Sequence, residues 1–150
     1  MRRPPFLFKQ RLMKQTSAKF LLTALAYIVP SMILGLLWHL VFFKHLYDTL
    51  LIYNRAEPII PLGFASMIIQ GTVMAYLYQF FSRDKTSMAT AIKFSLIMGA
   101  FLFSVSTLAN GAKIEVASME TWLLIQSTFH LIQFAVAGVL IGIVNRNSNA

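Results

Sequence analysis

Thr121-WLLIQSTFHLIQFAVAGVLIGIV-Asn145 decides how this chain folds, because it runs for 25 residues without Asp, Glu, Lys or Arg. An α-helix rises about 1.5 Å per residue, and ~20 apolar residues cross a hydrocarbon core of ~30 Å. Three further charge-free runs lie outward from it: Phe20 to Phe43, Leu62 to Phe81 and Phe94 to Ala112. A helix in a soluble core shows polar residues every third or fourth position; these runs do not. Strands of a membrane barrel alternate in polarity over ~10 residues, whereas Met32 to Leu37 and Val139 to Val144 are continuously apolar. The expected fold is therefore all-α, a four-helix transmembrane bundle of up-down topology. It forms one four-span domain over residues 1–150, with spans at about 20–43, 62–81, 94–112 and 121–145.

Composition agrees. The 150 residues are 57% hydrophobic and 12% charged, against about 45–50% and about 25% in ordinary soluble domains. The chain has no cysteine, so disulfides, thiolate metal sites and cysteine nucleophiles are excluded.

The 13 Lys and Arg are unevenly placed. Arg2, Arg3, Lys9, Arg11, Lys14 and Lys19 precede the first span, Arg83, Lys85 and Lys93 follow the second, and Arg146 follows the fourth. Only Lys44, Arg55 and Lys113 lie on the opposite side. Excess Lys and Arg in short loops marks the cytoplasmic face. Both termini and the Ser82–Ile92 loop are thus expected in the cytoplasm, with 44–61 and 113–120 outside. The 24-residue run after the basic N-terminus exceeds the ~7–15 of a signal h-region and reads as an uncleaved anchor. Phe6, Leu7, Phe8, Leu12 and Met13 interleave with the basic residues of segment 1–19. This amphipathic arm either simply sets the topology or lies on an anionic leaflet, at ~1 kcal/mol per basic residue, which suits it better than nucleic acid. Membrane lipid is the expected partner, together with a larger membrane complex or a homodimer.

Local signals place the connections. Pro30 interrupts the backbone bonding of the first span and predicts a kink. Leu46, Tyr47, Leu50, Leu51 and Tyr53 predict a short helix on the outer interface, ending near Asn54. Tyr47, Tyr53 and Trp122 read as an outer aromatic belt, and Tyr76, Tyr78 and Gln79 as an inner one. Pro58 and Pro61 suit the start of the second span, and Asn110 and Gly111 the end of the third. Spans one and two do not resemble three and four, so an inverted-repeat transporter is not indicated.

Residues three or four apart share a helix face, and each span shows one polar or small stripe. The stripes are Tyr27, Ser31, Gly35 and His39; Gly63, Met67, Gln70 and Met74; Ser95, Gly99, Ser106 and Asn110; and Gln126, His130, Gln133 and Ala137. Polar groups facing lipid are costly, so the stripes are expected to point inward. Counted from the outer ends, His39 lies ~6 Å deep, Gln70 ~12 Å, Asn110 ~3 Å, Gln126 ~8 Å and His130 ~14 Å. This predicts an outward-facing polar pocket lined by His39, Gln70, Asn110, Gln126 and His130, with Trp38 and Phe42 packing the apolar part of a ligand. A polar seam that merely joins helices would show the same residues. Gly138-x-x-x-Gly142 is a small-xxx-small motif turned away from His130, toward an adjacent helix or a second protein.

Several chemistries compete. His39 and His130 form a candidate axial pair for haem, although their estimated depths differ by ~8 Å. Coupled carriers place an acid within the membrane, whereas Asp48, Glu57, Asp84, Glu115 and Glu120 all fall in loops. Either histidine can serve as base for Ser106, Ser127 or Thr128 as nucleophile, but no motif fixes the pair. Zinc needs three or four converging ligands, which two histidines do not provide. The leading expectation is a non-catalytic accessory subunit or a protein binding lipid, quinone or a small solute. A haem-bearing electron carrier, or a small membrane enzyme or permease using His39 and His130, is the alternative.

Three segments carry a family likeness: Gly35-Leu-Leu-Trp38-His39-Leu40, Tyr53-Asn-Arg-Ala-Glu-Pro58-Ile-Ile-Pro-Leu-Gly63 and Ile69-Gln70-Gly71. Together they resemble small four-span bacterial membrane proteins classed as domains of unknown function. The resemblance implies a bacterial inner-membrane setting and brings no catalytic residue with it.

Overall fold

The structure is a computed structural model that describes residues 5–52, 55, 57–82 and 87–146, with side chains from residue 17 onward. Tyr53, Asn54, Arg2, Arg3, Arg83 and Lys85, and the side chains of the basic arm up to residue 16, lie outside the described residues.

The chain is an all-α four-helix bundle. Helix α1, Pro5–Leu36, runs through Pro30 and continues as a π-helical segment, Leu37–Phe42. Helix α2 is the short Lys44–Thr49. Helix α3, Ile60–Phe81, starts with Pro61 in its first turn, where the missing N–H has no intrahelical partner to lose. Helix α4, Met88–Phe103, passes into a second π-helical segment, Ser104–Leu108, and a last turn, Ala109–Gly111. Helix α5 is Met119–Asn145. Four helices are long and apolar enough to cross a membrane: Ser17–Phe42, Ile60–Phe81, Met88–Gly111 and Met119–Asn145.

Caps explain where the boundaries differ from those of the apolar runs. The hydroxyl of Ser87 accepts from the Thr90 N–H at 3.1 Å, so α4 begins at Met88, well before Phe94, and takes Lys93 with it. Lys93 is exposed, and its long stem lets the ammonium reach water. Ser118 caps α5 by accepting from the Thr121 N–H. Helix α2 stops earlier than the expected end near Asn54, because Leu51 adopts φ 59°. That left-handed conformation breaks the helix and is costly for a residue with a Cβ. It is held by buried Leu50, whose carbonyl accepts from the Ala117 N–H at 3.3 Å and ties the 44–52 segment to the loop before α5.

In cross-section the helices run α3–α1–α5–α4, and α3 touches α4 only sparingly. Tyr78 and Phe81 close that last seam against Phe94, each pair of ring centroids 5.3 Å apart. Helix α5 is the most enclosed span, with 44% of its apolar window buried against 17–22% for the others. Its contacts show it antiparallel to α1: Asn145 donates to Thr23 at 2.9 Å near one end, and Phe129 packs on Trp38 toward the other.

Small residues set the spacing. A Cβ on Gly138 would stand 2.9 Å from the Ile92 Cα and 3.1 Å from the Ser95 Cβ, so the Gly138/Gly142 face is where α5 meets α4. Gly71 does the same for α3 against Ile28 and the Ala24 carbonyl of α1. Close backbone approach of this kind is how helices associate where lipid supplies no hydrophobic drive.

The outer surface is apolar, and polar groups are drawn inside beside an aromatic and aliphatic core. Thr23, Ser31, Ser95, Thr107, Gln126 and Gln133 are buried, while Leu124, Ile69, Val41 and Leu131 are more than 60% exposed. Apolar surface on that scale is compatible with a multi-pass membrane protein.

Candidate functional site

The polar residues picked from the sequence do not converge on one pocket. They divide among three places.

The first is a hydrogen-bonded hub on Tyr27, which is fully buried. The Gln133 Nε2 donates to the Tyr27 hydroxyl at 3.2 Å, and that hydroxyl donates to the Gln70 Oε1 at 2.6 Å. The Gln70 Nε2 then donates to the Ser66 hydroxyl at 2.8 Å. The chain of bonds links α5, α1 and α3. Gln70 is thus engaged in joining helices.

The second is an aromatic layer beneath α2. Tyr47 folds over the bundle end, and its hydroxyl accepts from the Gln126 Nε2 at 3.0 Å. Trp38 packs against Phe43 and Phe129, and the His39 ring lies against Tyr47 and Phe129. Tyr47 and Trp122 are 1% and 4% exposed, so both are buried and neither forms the expected aromatic belt. The reason is α2, which turns back across the helix ends and gives both rings a protein surface to cover. Tyr78, expected in the opposite belt, is likewise buried against Phe94, while Tyr76 is exposed.

The third is a pair between α4 and α5. The Ser106 hydroxyl lies 3.0 Å from the His130 Nε2, and the His130 Nδ1 lies 2.8 Å from the Gln126 carbonyl. Ser106 and Asn110 were expected to face inward, but both are exposed. The physical reason is the π-helical segment Ser104–Leu108. One extra residue in the turn advances the register, so Thr107, fully buried, takes the inward position. Thr107 falls outside the polar stripe because a strict three-or-four spacing assumes an unbroken α-helix.

His130 has both ring nitrogens in hydrogen bonds, and the Phe129 ring packs on both imidazoles, 4.6 Å from His39 and 5.4 Å from His130. Neither arrangement suits an axial haem pair. Among the described residues no three His, Asp or Glu converge as metal ligands.

The cavity lies elsewhere, between α1 and α3 under α2. It is an open cleft of about 800 Å³, within the ~300–1,000 Å³ of small-molecule sites. Its apolar walls come from Met32, Leu36 and Leu40 of α1 and from Ile60, Phe64 and Met67 of α3. His39, Lys44, Tyr47, Asp48 and Arg55 line the end beneath α2. Of the six residues singled out in the sequence, His39 alone lines this cleft. Gly35 and Gly63 line it too, and a Cβ on either would meet nothing within 4 Å. These two glycines differ from Gly71, Gly99 and Gly138, where a Cβ would collide with a neighbouring helix. Lys44 is paired with Asp48 at 3.1 Å, one turn apart on exposed side chains.

No family model matches the chain, and neither the curated proteins nor the solved structures contain a match. The family likeness therefore rests on the quoted segments alone.

Proposed function

We propose that this is a bacterial-type inner-membrane protein, with both termini cytoplasmic, that binds a membrane amphiphile in the cleft between α1 and α3. The ligand class is an acyl- or prenyl-chained molecule with an acceptor-rich head, such as a lipid or an isoprenoid quinone. The chain would lie along the wall of Met32, Leu36, Phe64 and Met67, with the head toward His39, Lys44 and Arg55.

The observation that carries this reading is the behaviour of Gly35 and Gly63. Glycine in a helix interior is about 1 kcal/mol less favourable than alanine. Where helices touch, close approach compensates; at Gly35 and Gly63 nothing touches. Their missing side chains instead leave the cleft open.

The test is native mass spectrometry of protein extracted gently from its own membrane. Wild type should carry a bound mass, which distinguishes lipid from quinone. Gly35→Leu/Gly63→Leu should lose it while unfolding at or above the wild-type temperature. No adduct on wild type, or an adduct retained by the filled variant, would overturn the proposal.

A further inference from the structure

The Ser106–His130 pair lies on another face of the bundle from the cleft, and the amphiphile reading leaves it unused. Three features separate it from ordinary helix glue. The tautomer is set: the Gln126 carbonyl can only accept, so the Nδ1 facing it carries the proton and the Nε2 facing Ser106 is left as a base. The imidazole is held by rings, with Phe134 stacked on it at an interplanar angle of 8° and Phe103 and Phe129 set edgewise. Phe134 is itself wedged against Gly99, where a Cβ would stand 2.7 Å from its Cγ. The hydroxyl is also accessible: Ser106 is exposed, as are Val105 and Leu108 in the same π-helical segment and Leu131, next to His130 in the chain.

The other two candidate nucleophiles lack this arrangement. Ser127 and Thr128 each donate to the Leu124 carbonyl of their own helix, at 3.1 and 2.8 Å. Ser106 also has such a bond, to the Leu102 carbonyl at 2.7 Å. Rotation about Cβ–Oγ transfers its proton from that carbonyl to the imidazole. One turn on, the Asn110 Nδ2 donates to the Ser106 carbonyl at 2.8 Å. That bond ties the Asn110 side chain to the backbone of its own helix.

We infer that Ser106 is a nucleophile for acyl transfer from an apolar ester dissolved in the bilayer, with His130 as its general base. The Ser106 oxygen attacks the ester carbonyl, and its proton passes to the His130 Nε2. The tetrahedral intermediate collapses with loss of the alkoxide, which takes the proton from His130 and leaves as an alcohol. Water, activated by the same nitrogen, hydrolyses the acyl-serine to a carboxylic acid and restores the hydroxyl. No electrons change hands. An exposed, apolar-flanked serine suits a substrate arriving from within the leaflet.

The experiment uses the full chain in nanodiscs with an alkyl fluorophosphonate, a probe that reacts with activated serines and not with ordinary ones. Peptide mapping should find the adduct on Ser106. Ser106→Ala should abolish it, and His130→Gln should slow it by at least ~10²-fold, the usual worth of a general base. Ser127→Ala should react as wild type. Thermal unfolding of each variant reports whether it remains folded, and the labelling of wild type tests the assignment independently of any variant. Absence of an adduct on wild-type Ser106, or an unchanged rate in folded His130→Gln, would overturn the assignment. Neither result bears on the cleft, which the lipid-mass experiment tests separately.

Discussion

Alanine placed at Gly35 and at Gly138 should move stability in opposite directions. Both sites are in helix interiors, so each substitution gains about 1 kcal/mol of helix propensity. At Gly35 the new Cβ meets nothing within 4 Å, and the gain should stand. At Gly138 it would lie 2.9 Å from the Ile92 Cα and 3.4 Å from the Ala91 carbonyl oxygen. These are backbone atoms that no rotamer change can move, so α4 and α5 must separate. Overpacking of this kind costs about 1–3 kcal/mol. Gly35→Ala should thus be about 1 kcal/mol more stable than wild type, and Gly138→Ala unchanged to about 2 kcal/mol less stable. The propensity term cancels between the two variants, which leaves a gap of about 1–3 kcal/mol from packing alone. Reversible unfolding in mixed micelles, titrated with a denaturing detergent, measures it. If Gly138→Ala proves as stable as Gly35→Ala, the division of glycines into helix contacts and cleft lining fails.

Two further outcomes are expected. Tyr27→Phe removes the hydroxyl that accepts from Gln133 and donates to Gln70, and should destabilise by about 1–2 kcal/mol in the same titration; a loss under about 0.3 kcal/mol would show that the three helices do not depend on this hub. Because the chain has no cysteine, Lys113→Cys and Ser87→Cys report the proposed orientation directly. A membrane-impermeant maleimide should label the first in intact cells and the second only after permeabilisation, and the reverse pattern would invert the topology.

The four spans were legible because a hydrocarbon environment acts on composition. A charge-free run of ~20 residues has few other solutions, and no knowledge of neighbours is needed to see it. The Gly138-x-x-x-Gly142 contact was legible for a related reason, since small residues at one-turn spacing are how membrane helices approach. The sites were harder. Gln70, Gln126 and His130 were recognisable as polar groups that must find partners, but sequence could not say which. Their partners, Tyr27, Tyr47 and Ser106, stand 43, 79 and 24 residues away.

What the sequence alone determined is the class of structure: all-α, with four apolar helices and polar stripes. Tertiary structure decided how those stripes are used. The π-helical segment at Ser104–Leu108 turned Ser106 and Asn110 outward and Thr107 inward, a register change of one residue that hydropathy cannot register. Helix α2, closing over the bundle end, buried Tyr47. The open side between α1 and α3, lined by Gly35, Gly63 and His39, exists only because these helices meet at Gly71 and leave space farther along. Polarity and spacing are local properties of a chain, whereas a cavity is a property of surfaces that fail to meet.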